Sequence, residues 1–248
     1  MKILYKYPTR QRSLKFLRCI SSYYDLMRGD DYEFVVSIDD DDREMHSPEV
    51  MSLMKGMSNL TVRSGNNKTK IEAINADIPT GEWDILVLVS DDMIPEVEGF
   101  DQIIRSDMMR EYPDTDGVLW YFDGWRKDLN TLCILGRKYY NRFGYIYHPE
   151  YKSFWCDMEF TEVANSLGRQ KYSDTTIIRH LHPDIVIQDS TAEKKFRDLL
   201  PEFASQGSGG HDALWQKNSL PGDPDRLIYE KRKTRNFDID SLSNFKGV

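Results

Sequence analysis

Three short polar clusters in the first hundred residues carry side chains suited to chemistry: Pro8-Thr9-Arg10, Asp39-Asp40-Asp41-Asp42 and Ser90-Asp91-Asp92. Each follows an apolar run, at 3–7, 33–38 and 84–89, that reads as a buried strand. One acidic cluster after a strand is ordinarily a turn or a helix cap. Two of them on parallel strands reach the same sheet edge, outside the carboxyl ends where open α/β sheets bind ligands. Carboxylates gathered there repel one another unless a cation or a ligand joins them. Hard divalent cations such as Mg2+ or Mn2+ prefer carboxylate oxygens and bridge protein to substrate phosphates. The residue types and their spacing therefore point to a phosphate-bearing substrate held through a metal.

The elements that must position these clusters alternate. Residues 13–24 place Leu14, Leu17, Ile20 and Tyr24 at helical spacing, and 48–57 and 70–76 also read as helices. A short strand at 60–63 runs into the turn Gly65-Asn66-Asn67. This alternation predicts an α/β domain with a mostly parallel central sheet flanked by helices. The second half is less regular, with strands expected at 117–122, 132–135 and 175–178 and a helix at 159–167. From about residue 205 the composition shifts to Gly207-Ser208-Gly209-Gly210, then Pro221, Gly222 and Pro224, and ends in a basic stretch at 230–235. That segment reads as a mobile tail or lid.

Bulk properties exclude several classes. A chain of 248 residues with 40% hydrophobic and 12% aromatic content can bury a full core. A net charge of -8 argues against broad, nonspecific nucleic-acid binding. Cys19, Cys133 and Cys156 show no CxxC spacing, which rules out a zinc ribbon and favours a reducing compartment. No signal-peptide h-region opens the chain, and no apolar run approaches the ~20 residues that span a bilayer, so no transmembrane segment and a cytoplasmic location are expected. Neither GxxxxGK[ST] nor GxGxxG occurs, against P-loop and dinucleotide-binding readings.

The order of motifs resembles the family 2-like glycosyltransferases of the GT-A fold. The matching residues are Pro8-Thr9-Arg10, Asp39-Asp40, Lys68 with Asn75, and Ser90-Asp91-Asp92-Met93-Ile94-Pro95, followed by Phe143-Gly144 and Trp155-Cys156-Asp157-Met158-Glu159-Phe160. The likeness covers roughly residues 2–185. Two departures stand out: Cys156 replaces the Glu of the usual Glu-Asp pair, and Val89 falls where an Asp-x-Asp motif has its first Asp. The resemblance implies one nucleotide-diphospho-sugar transferase domain at 1–204, with a nucleotide-sugar half at 1–97 and an acceptor half at 98–204, before the tail or lid at 205–248.

It also implies roles. Asp91 and Asp92, with His180 or His182, would hold Mn2+ or Mg2+ on the donor diphosphate; His180 is preferred because it directly follows the apolar run. Pro8, Thr9, Arg10, Asp39, Lys68, Asn75 and Asp91 would bind the nucleotide-sugar donor, while Asp40 to Asp42 are expected in solvent. Asp157 would be the general base that deprotonates the acceptor hydroxyl, giving inversion, with Glu159 next in line; a plain N-cap is the bland alternative for Asp157. Of Trp120, Tyr121, Phe122 and Trp125, alternation puts half in the core. The acceptor stays open: a glycan, a lipid-linked sugar, a protein or a modified nucleobase in DNA. A nucleotidyltransferase and a non-catalytic nucleotide- or sugar-binding module are the competing readings.

Overall fold

A computed structural model describes residues 1–181, 213–220 and 222–242. The first half alternates as expected: β1 (Ile3–Pro8), α1 (Ser13–Leu26), β2 (Tyr32–Asp39), α2 (Pro48–Lys55), β3 (Leu60–Gly65), α3 (Lys70–Asn75) and β4 (Ile85–Leu88). Then follow β5 (Met93–Pro95), α4 (Phe100–Glu111), β6 (Val118–Tyr121), β7 (Ile134–Gly136), α5 (Arg137–Asn141), α6 (Cys156–Ser166), β8 (Gln170–Ser173) and β9 (Ile178–His180). Past residue 212 come α7 (Ala213–Ser219), α8 (Gly222–Lys233) and a 3-10 segment, Asn236–Leu242.

Seven strands form one sheet in the order β3-β2-β1-β4-β7-β6-β8. Strands β1 to β4 are mutually parallel and β6 is parallel to β8, while β7 runs antiparallel to both β4 and β6. The order reverses at β1, which has β2 on one side and β4 on the other. Such a reversal opens a crevice at the strands' carboxyl ends.

The strand period of two sorts the core into two layers. Ile3, Tyr5 and Tyr7 face Phe16, Cys19, Ile20 and Tyr23 of α1 and Phe100 and Ile104 of α4. Leu4, Leu86 and Leu88 face Ile71 and Ile74 of α3 and Phe160 and Val163 of α6. Between them Lys6 is fully buried on the second face. Its ammonium donates to Ser37 Oγ, which in turn donates to Asp77 at 2.5 Å. Burial pulls the Lys6 amine down to about 8, with Asp77 opposing.

Several expectations shift. Helix α6 begins at Cys156, three residues before the expected 159, and β9 lies at 178–180 rather than 175–178. Helix α4 has no counterpart among the expected elements, although Phe100, Ile104 and Met108 recur every four residues and are all buried. The described part of the expected tail is packed. In α8 and beyond, Asp225, Tyr229, Arg232, Phe237 and Ile239 are buried, the aromatic and aliphatic ones against the α6 layer. Gly207 to Gly210 and His182 lie outside the described residues. Among the described residues no helix is long and apolar enough to cross a membrane.

Candidate active site

The crevice at the β1–β4 switch is a cavity of about 260 Å³ lined by the ends of β1, β2 and β4, the start of α3, the start of α6, His180 and one face of α7. The local sequence builds its rim. After β1 the chain turns through Gln11, whose positive φ of 53° is unusual for a non-glycine residue. Asp42 takes the Gln11 N–H at 2.7 Å, and Glu44 takes the Ser13 N–H at 2.8 Å. These two acids of the β2–α2 loop thus lock the turn that presents Thr9, Arg10 and Arg12. Asp42 is fully buried, a correction to its expected place in solvent. Asp40 and Asp41 are exposed, though Asp41 pairs with Arg10.

At the β2 end of the cavity, Arg10 Nη1 contacts Asp39 Oδ2 at 2.6 Å and Asp41 Oδ1 at 2.5 Å. Asn67 donates its side-chain amide to Asp39 Oδ1 at 3.0 Å. Thr69 caps α3 by accepting from Glu72 N at 3.1 Å, and Glu72 reaches back to Lys68 N at 2.7 Å. These two hydrogen bonds fix the turn carrying Lys68 and Lys70 into the cavity wall.

At the centre, Thr9 Oγ1 lies 3.0 Å from Asp91 Oδ1 and 3.2 Å from Oδ2, and Arg12 Nη1 lies 3.8 Å from Asp91 Oδ2. Burial pushes the Asp91 carboxyl up to about 6, with Asp92 adding to the rise and Arg12 and Thr9 opposing it. Strand β9 pairs antiparallel with β5 and sets Met93 opposite His180. This register carries His180 Nε2 to 3.7 Å from Asp92 Oδ2. Burial alone would raise Asp92, but His180, Ser90 and Arg12 hold it well below the usual carboxylate range. The same pair acts in reverse on the imidazole: burial would lower His180, and Asp92 and Asp123 raise it. Asp123 Oδ2 sits 3.9 Å from His180 Nδ1 and accepts from Thr131 Oγ1 at 2.6 Å.

This donor set fits a hard divalent cation in one specific way. Among the described residues no group of three or more His, Cys, Asp or Glu side chains converges on a point. Asp92 and His180 do converge, with an oxygen and a nitrogen 3.7 Å apart on the cavity wall. Cations of the Mg2+ and Mn2+ type commonly take one or two protein ligands and leave the remaining positions to substrate phosphates and water. Asp91, both of whose oxygens lie near Thr9, is the weaker candidate ligand.

At the far end, α6 brings Asp157 to the cavity. Burial raises the Asp157 carboxyl, while Lys70 and His180 pull it down. Its Oδ1 accepts from Met158 N at 2.9 Å.

Two expected site residues stand elsewhere. Glu159, two positions along α6, turns away from the cavity and accepts from Arg232 Nε at 2.7 Å and from Tyr151 Oη at 2.7 Å. A helix that aims residue 157 into a cleft cannot aim 159 there too, since the two differ by about 200° around the axis. Asn75 spends its amide on the backbone, accepting from Ile146 N at 2.9 Å and donating to Tyr147 O at 2.6 Å. Trp120 and Tyr121 are both buried, and Phe122 and Trp125 are half-buried.

Other wall residues went unread in the sequence: Arg12, Lys15, Lys70 and Thr131. Lys15 had a signal, a lysine four residues before Cys19 on the apolar face of α1. Lys70 had none, being one of several lysines in a polar turn.

No protein-family model matches the sequence, and no curated protein matches it significantly. Solved structures do match in shape. The mannosyltransferase PcManGT from Pyrobaculum calidifontis, in complex with GDP-Man and Mn2+, is 14% identical with a TM-score of 0.58, covering 92% of this chain and 83% of that one. TarS of S. aureus is 15% identical with a TM-score of 0.58 over 73% of this chain, which spans only 36% of TarS. Glucosyl-3-phosphoglycerate synthase from Mycobacterium tuberculosis, with Mn2+, UDP and phosphoglyceric acid, is 13% identical with a TM-score of 0.53, covering 72% of this chain and 70% of that one.

Proposed function

From the premise that the chain has the GT-A fold of these nucleotide-sugar glycosyltransferases, we propose that it transfers a sugar from a nucleotide-diphosphate sugar to an acceptor hydroxyl, with inversion. The observation that carries this reading is the convergence of Asp39, the Asp92–His180 pair and Asp157 on one cavity at the sheet's switch point. Arg10, Asp39 and Asn67 form a polar wall suited to the donor's base and ribose, and Lys68 and Lys70 offer positive charge to its phosphates. A divalent cation held by Asp92 and His180 would neutralise charge on the departing diphosphate.

Asp157 takes the proton. The acceptor oxygen forms its bond to the anomeric carbon as the bond from that carbon to the β-phosphate oxygen breaks. The hydroxyl proton passes to Asp157, and the nucleoside diphosphate leaves. Burial makes this carboxylate a stronger base than a solvated one, with Lys70 and His180 opposing the rise. A cytoplasmic location is part of the same proposal; Cys19, Cys133 and Cys156 are buried free thiols.

Calorimetry with UDP, GDP and their sugars, with and without Mn2+, tests the reading, followed by donor turnover. Tight, metal-dependent binding of one nucleotide is expected. No binding across the panel would remove the proposal.

A further inference from the structure

The cavity wall next to Asp157 is held by a residue from the far end of the chain. Asp225, in the first turn of α8, is fully buried. Its Oδ1 accepts from Lys152 N at 3.0 Å, and its Oδ2 accepts from Ser153 N and Phe154 N, both at 2.8 Å. Three consecutive backbone amides thus converge on one carboxylate. The loop they belong to lines the cavity with Ser153 and Phe154. It is tied on its other side to α3, where Ile71 N donates to Lys152 O at 3.3 Å.

Directly after this loop, Trp155 adopts a left-handed conformation, with φ 65°. A non-glycine residue holds that conformation only where its surroundings over-determine it. Two contacts from α8 do so: the Asp225 clamp before it, and Tyr229, whose ring lies 5.2 Å from that of Trp155. The chain then enters α6 at Cys156, and Asp157 is the next residue. The direction in which Asp157 leaves the backbone is set by the turn at Trp155, and the turn by the clamp.

We propose that Asp225 is a positioning residue for Asp157. By gathering the amides of 152–154, it aims the general base at the anomeric centre, so the C-terminal helix is part of the catalytic apparatus though it touches no substrate. This rests on the function proposed above. Misplacing a reacting group by about 1 Å costs on the order of a hundredfold in rate, and losing the clamp acts at that scale.

The test uses the full chain, the Asp225→Asn variant and, as probes, UDP-GlcNAc and GDP-mannose with Mn2+. Water serves as acceptor: its oxygen attacks the anomeric carbon, the bond to phosphate breaks, and the water proton goes to Asp157. In Asp225→Asn, kcat for donor hydrolysis should fall roughly ten- to a hundredfold. The nucleotide Kd should stay within about threefold, since the nucleotide wall is built by other elements, and the amides of 152–154 should exchange faster than in wild type. A folded variant with unchanged kcat overturns the proposal, as does one whose kcat and nucleotide affinity fall in step. Should Asp225→Asn not fold, Asp225→Glu keeps the charge and displaces it; failure of both to fold makes Asp225 a folding residue and overturns the proposal. Wild-type protein that binds no nucleotide sugar sinks the reading of the site itself, and this proposal with it.

Discussion

Arg232 of α8 closes a two-point ion pair on Glu159 of α6, Nε to Oε2 at 2.7 Å and Nη2 to Oε1 at 2.9 Å, with both side chains buried. Arg232 also lies 3.3 Å from Asp238 Oδ2. Breaking a buried pair strands the remaining charge and typically costs about 3–5 kcal/mol. Arg232→Met is expected to lower the unfolding free energy by about that amount, measured by urea denaturation. Glu159→Gln should be destabilised as well, but its folded fraction should retain turnover, because Glu159 does not face the cavity.

Asp157→Asn tests the base. Asp157 is the second residue of α6, whose N-cap is Trp155, so the cap is untouched, whereas losing a positioned base costs ~10²–10⁴-fold in rate. The variant should bind donor normally and lose transfer. Retention of more than about a tenth of the wild-type rate would rule Asp157 out as the base.

The same substitution has a pH signature. Burial raises the folded-state carboxyl of Asp157, so the folded protein holds this proton more tightly than the unfolded chain does. The ionised form therefore costs stability above the folded pKa, and that cost shrinks as pH falls below the folded pKa and is gone below the unfolded one. Thermal melts should show Asp157→Asn more stable than wild type at pH 7 to 8, with the gap closing on acidification.

Metal dependence divides the acidic pair. Asp92→Asn and His180→Ala should abolish the gain in nucleotide affinity that Mn2+ confers, and chelation of wild type should do the same. Asp91→Asn should have a smaller effect on that gain. Equal losses in Asp91→Asn and Asp92→Asn, read by calorimetry, would show that Asp91 is a ligand too.

Lys6 supplies a check on the core. Burial pulls its amine down to about 8, so the unfolded chain keeps the proton to higher pH than the folded one. Stability should then rise between pH 8 and 10.5 by roughly 3 kcal/mol, relative to Lys6→Met, which lacks the slope. Denaturant midpoints of the two proteins across that range measure it.

Much of the first half of the chain was legible in the sequence because its signals are local. Apolar runs of strand length, helical spacing and polar residues at the strand ends suffice to place Thr9, Arg10, Asp39 and Asp92 at one edge, since parallel strands must share it. Asn75 and Glu159 were misplaced because a motif position gives a residue type but not the direction of its side chain. The packing of α3 on the 146–147 backbone and of α8 on α6 decided those directions.

The residue sequence by itself determined a mostly parallel sheet flanked by helices and the acidic strand ends, which follow from patterns within ten or so neighbours; β5 and β8 were not among the expected strands. Only the tertiary structure brought His180 to Asp92, through a β5–β9 pairing 87 residues apart in the register of Met93 and His180. It alone put Asp225 under the loop before Asp157, across more than 70 residues. Such contacts depend on where whole elements come to rest, and a single carboxylate in a polar stretch carries no local mark of the three amides it will meet.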